Sequence, residues 1–179
     1  TIPRSRAHVH FEIGFRLTDD FEKWYTDQKF DSQNRHGIWN GMNLVSIDPL
    51  DFYQNIRSGQ VSNLREYLRR LPVATRIRVF SNQVPDFVRN YPALLTESFA
   101  GKTVVAWDIA FTQYGVPKEW TPRFAEDKLK GQAGNLKIIA YHPGLLKSQS
   151  CHRVLDLSGS SPKIASGTIT AIKKLFGFN

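Results

Sequence analysis

Arg6-Ala7-His8-Val9-His10-Phe11-Glu12-Ile13-Gly14 alternates polar and apolar side chains, which is the period of a β-strand. On a strand, residues two apart share a face. His8, His10 and Glu12 are therefore expected to point one way, and Val9, Phe11 and Ile13 the other. Two imidazoles and a carboxylate aligned on one face are donors of the kind that bind zinc. The apolar face is expected to anchor the strand in a core, and a metal site needs that rigidity. The plainer alternative is a strand whose polar side lines a wet cavity.

His8-Val9-His10-Phe11-Glu12-Ile13 resembles the His-x-His-Phe-Glu signature of the lysostaphin-type (LytM-type) zinc endopeptidases, which cut peptide cross-links in bacterial cell walls. Ile47-Asp48-Pro49-Leu50-Asp51-Phe52-Tyr53 resembles the short Asp-Pro segment that closes their domain. The likeness covers residues 1–57. It implies that His10 is a zinc ligand, that His8 lies beside the metal and assists the reaction, and that the substrate is a cell-wall peptide or glycopeptide. It also implies a bacterial protein that is periplasmic, in the cell envelope or secreted. It gives Glu12 no ligand role, which leaves that residue behind the ligands or in a structural place.

The family takes two further ligands, a His and an Asp in a His-x-x-x-Asp run, from well before His-x-His. None of the seven residues ahead of His8 is His or Asp. The chain is therefore expected to be the C-terminal part of a longer protein, or one half of a split pair with an N-terminal partner fragment. By itself it cannot assemble the family's zinc site and is expected to be inactive. The competing reading is a non-catalytic binding or scaffolding module on a degenerate peptidase fold.

The remaining 122 or so residues resemble no family by their motifs. The chain has 179 residues, is 41% hydrophobic and 12% aromatic, and so is long enough and apolar enough to bury a core. No run of 18 apolar residues occurs, so a membrane span is not expected. The net charge of +8 attracts polyanions. The basic residues are spread along the chain rather than gathered in a stripe, which disfavours nucleic acid as the partner. A single cysteine, Cys151, excludes an internal disulfide. On a strand, its neighbour His152 would face away from it, which argues against a nucleophile–base pair.

In chain order, Asp19 and Glu22 suggest a capping box for a helix over 19–29, with Phe21, Trp24 and Tyr25 on one face. Residues 31–46 read as a loop holding His36, Trp39, Asn40 and Asn43. That loop is either one wall of a substrate groove or a surface loop pinned by a buried Trp39. His36, Trp39 and Asn40 are thus candidate groove residues beside Glu12. Asp48 should cap a helix that begins at Pro49, carries Leu50, Tyr53 and Ile56 on helical spacing and stops near Gly59. A helix from Ser62 presents Leu64, Leu68 and Leu71 and ends before Pro72.

Strands are expected at Arg76–Val79, Thr103–Tyr114, Leu136–Tyr141 and Val154–Leu157, with a short helix or turn between Pro85 and Leu95. A last helix is expected from Pro162, with Lys173 and Lys174 at its C-terminal end and Gly177 as its stop. Asp108 next to Trp107 could make a sugar-binding platform. The fold class is α+β: an antiparallel β-rich core carrying the His-x-His strand, with appended helices and a strand-rich C-terminal region. Residues 1–60 would be the peptidase part and residues 61–179 an accessory region.

Overall fold

A computed structural model describes residues 11–147 and 153–178. His8, His10, Cys151 and His152 lie outside the described residues. The fold is α+β, and every strand pairing in it is antiparallel.

The chain enters on β1 (Ile13–Arg16), which pairs with β2 (Leu44–Ile47). Between them lie α1 (Phe21–Asp27) and two short 3₁₀ turns, Gly37–Trp39 and Gly41–Asn43. Helices α2 (Pro49–Arg57) and α3 (Leu64–Arg70) follow. The four-stranded sheet comes next: β3 (Thr75–Val79), β4 (Val104–Phe111), β5 (Pro117–Phe124) and β6 (Leu136–Tyr141), in the order β5-β4-β3-β6. Helix α4 (Asp86–Asn90) lies between β3 and β4, and α5 (Pro143–Lys147) follows β6. A two-stranded ribbon, β7 (Leu155–Asp156) and β8 (Lys163–Ile164), leads into α6 (Ser166–Phe176).

The sheet has two unlike faces, as the alternation along β4 requires. Trp107, Ile109 and Phe111 face the core. On the other face Ala106 and Ala110 are fully covered, and Asp108 is buried between two arginines. Arg78 donates Nε and Nη2 to Asp108 at 2.6 and 2.8 Å, and Arg123 donates Nε at 2.7 Å. Burial alone would push the Asp108 carboxyl up, but the two guanidiniums together hold it below its ordinary value. The sugar-platform expectation fails here: Trp107 is buried, with Nε1 donating to the Gln83 carbonyl, and Asp108 is committed to its arginines.

Trp120 is the hub of the core. Its ring lies 5.5 Å from Phe87, 6.0 Å from Trp107 and 6.0 Å from Phe176 (centroid distances). Phe87 in turn meets Phe15 of β1 at 6.2 Å. Buried residues from before and after residue 60 thus form one cluster.

Several local expectations are met. Asp48 caps α2 by accepting from the Leu50 and Asp51 N–H groups, with Pro49 in the first turn. Gly177 ends α6 with φ of 65°, a left-handed conformation that glycine adopts without strain. Others need correction. Asp20, not Asp19, precedes α1, and no side-chain cap forms; Asp19 pairs with Arg16, and Glu22 accepts from Asn34. Ser62 stands one step outside α3: Asn63 is the cap, and Ser62 donates both N–H and Oγ to Glu66. In α2 the inward residues are Phe52 and Ile56, while Leu50 and Tyr53 are exposed. Residues 44–46 belong to β2 rather than to a loop, and Ile164 belongs to β8 rather than to the final helix.

Candidate functional site

The part of the His-x-His stretch that the structure describes begins at Phe11. From Ile13 the expected alternation holds: Phe15 and Leu17 are buried and Ile13 packs against the core, while Glu12 and Gly14 on the other face are exposed. Phe11 departs from it. It lies ahead of the strand, is 56% exposed, and rests against Tyr53 of α2 at 5.9 Å. The core anchor of this ribbon is therefore Phe15 with Leu17, further along the chain than the motif.

Ile13 sits opposite Ile47, and Gly14 opposite Ser46. The two segments that carry the family likeness are thus adjacent in space. Glu12 accepts from Ser46 Oγ at 3.3 Å across the hairpin. Gly14 suits this closeness, because a Cβ there would stand 3.2 Å from Ser46 Oγ.

The 31–43 segment is pinned, but not by Trp39, which is 64% exposed. The pin is Asn43, fully buried. Its Oδ1 accepts from the Thr18 N–H, and its Nδ2 donates to the carbonyls of Thr18 and Ile38 at 2.8 and 2.9 Å. Asparagine supplies donors and an acceptor in one side chain, so one buried residue ties the loop to the end of β1. Trp39 lies outside this pin, with the Arg16 guanidinium 5.4 Å from its ring centroid. Arg16 shares the strand face of Glu12 and Gly14, so Trp39 borders that face. Asn40 is used within the loop, accepting from the Met42 N–H and donating to Asn34 Oδ1. His36 is exposed, with its backbone N–H on Asn34 Oδ1.

A cavity of about 670 Å³ lies alongside the hairpin. Consecutive residues from Leu44 to Asp48 form one wall, with Glu12 beside them; Tyr114, Gly115, Arg153 and the Thr168 and Lys174 side of α6 form the other. His36, Trp39 and Asn40 do not line it; from their loop region Gly41 and Met42 do.

Lys174 was legible only as a cation suited to a helix C-terminus. It is instead buried, donates Nζ to the Met42 carbonyl, and sits 4.7 Å from the Trp24 ring centroid. Burial pushes its amine down to about 8. Its place in α6, three residues after Ala171 and beside Leu175, puts it on the packed stripe, and that spacing was the available signal.

Among the described residues, no group of three or more His, Cys, Asp or Glu is placed to hold a metal ion. A catalytic zinc takes three protein ligands, and Glu12 is a single carboxylate already turned to Ser46. The described residues therefore do not by themselves make a zinc site. None of the described helices is long and apolar enough to cross a membrane. Comparison of the chain with protein-family models, with curated proteins and with solved structures gave no match.

Proposed function

We infer that the chain is the C-terminal portion of a zinc metallo-endopeptidase that cuts peptide cross-links of bacterial cell walls, outside the cytoplasm. The observation that carries this reading is the pairing of β1 with β2. It sets Ile13, the last residue of the first family-like segment, opposite Ile47, the first residue of the second.

In this reading His10 would hold zinc as one of its ligands. His8 would donate a hydrogen bond to the substrate carbonyl oxygen. Zinc held there would supply Lewis-acid activation of the carbonyl and of a water. Such a site would need further ligands besides His10. Glu12 braces the hairpin through Ser46 rather than binding metal.

The test is release of free amines from purified cell walls by the longest natural polypeptide that contains this chain. His10→Ala is expected to lower the rate by about 100-fold or more, and His36→Ala to leave it within about twofold. Unchanged cleavage by His10→Ala contradicts the reading. Saturable wall binding without cleavage favours a binding module on a degenerate peptidase fold.

A further inference from the structure

Strand β6 forms one edge of the four-stranded sheet. Among the described residues its only strand partner is β3. Among the described residues the β7–β8 ribbon is two strands wide, so β8 has one side without a strand partner there. Between β6 and β8 runs an open groove of about 950 Å³, lined by all six residues of β6 and by Pro162, Lys163, Ile164 and Ile169.

Exposed edges are normally blunted by charge, proline, brevity or a bulge. β6 has some of this protection: Lys137 near one end, and a register shift that leaves Ile139 without a partner on β3. Yet Ile139 and Tyr141 are exposed at 39% and 43%, and the strand contains no proline. Six residues at about 3.3 Å each give an edge of about 20 Å, enough for a short extended peptide. The two charged residues lining the groove are Lys137 and Lys163, and no carboxylate lines it. Asp156 stands opposite Lys163 on β7, with its carboxylate accepting from the Ser158 N–H.

We propose that this groove receives an extended acidic peptide segment from another protein, which adds as a strand to the edge of β6. Main-chain pairing supplies affinity in this mode, and alternate side chains supply selection. Apolar residues of the incoming strand meet Ile139, Tyr141, Ile164 and Ile169, and its carboxylates meet Lys137 and Lys163. Charge selects the occupant. A second copy of this chain, with net charge +8, would bring the same lysines into the groove. This surface is independent of the peptidase reading.

The test titrates ¹⁵N-labelled protein with a capped octapeptide alternating glutamate and valine, followed by amide NMR. The expected result is saturable shifts confined to β6, β8 and their flanks, with slowed exchange of the β6 amides that face away from β3. Lys137→Glu with Lys163→Glu, two surface changes, should weaken binding about tenfold or more. A peptide with proline at its centre should not bind. The proposal is overturned by the absence of shifts at about millimolar peptide, by equal binding of a lysine–valine peptide, or by shifts centred elsewhere. It is also overturned if the β6 shifts depend on protein concentration without peptide, which would make a second copy the occupant.

Discussion

The β1–β2 hairpin and the four-stranded sheet are built on opposite terms. The sheet buries both faces of its central strand β4: aromatic rings on one, and an aspartate gripped by two arginines on the other. The hairpin is two strands wide, a form marginal by itself. It is held at one end by Phe15 against Phe87 and Tyr91, and at its loop by Asn43. Glu12 and Gly14 stay open to solvent. The difference teaches where chemistry can sit. A face with its polar groups already satisfied has nothing left to offer a ligand, whereas a thin ribbon with one face anchored can present side chains on the other.

The sharpest way to break this comparison is at the hub of the sheet's core. Trp120→Ala removes the ring that joins Phe87, Trp107 and Phe176, and is expected to cost about 4 kcal/mol in urea unfolding. A loss below about 1 kcal/mol would mean that the core does not depend on it.

Lys174 ties α6 to the flank of the hairpin through the Met42 carbonyl. Its folded value of about 8 lies below the ordinary 10.5. Between those values the unfolded chain holds more of this proton than the folded one, so stability should rise with pH from about 8 to 10.5. The full rise is at most about 3 kcal/mol. Lys174→Met should remove this part of the slope, read as the difference between the two proteins' unfolding curves at successive pH values. Parallel curves would contradict it.

Asn43→Ala comes next. It strips partners from the Thr18 and Ile38 carbonyls and from the Thr18 N–H, and should cost about 2 kcal/mol. It should also speed hydrogen exchange in β1 and β2 while leaving β3 and β4 unchanged. Equal acceleration in all four strands would erase the distinction between the regions. Phe11→Ala, which removes one partly exposed ring contact, should cost about 1 kcal/mol or less.

What the sequence made legible follows local chemistry. Asp48-Pro49 announces its helix because the cap and the first turn lie in adjacent residues. Arg76–Val79 reads as a strand by its alternation, and Leu136–Tyr141 as one after the turn at Gly131 to Asn135. β5 was hidden because Pro117 and Pro122 argue against a strand. It tolerates both because it is the other edge of its sheet. β2 looked like the tail of a polar loop, since its pairing with β1 is a long-range fact. For the same reason Asn43 could be noticed among the loop residues but not recognised as the pin. From Ile13 to Leu17 the alternation read in the sequence holds, but Phe11 departs from it. The boundary of the candidate site was not legible: the cavity lies along β2 and α6, and the loop residues His36, Trp39 and Asn40 stay out of it.

The most direct test of the functional reading is zinc content, measured by elemental analysis on the longest natural polypeptide that contains this chain. The account predicts one zinc per protein, lost in His10→Ala and retained in Glu12→Gln. Absence of zinc in the wild-type protein after exposure to excess metal, or full retention in His10→Ala, would contradict it.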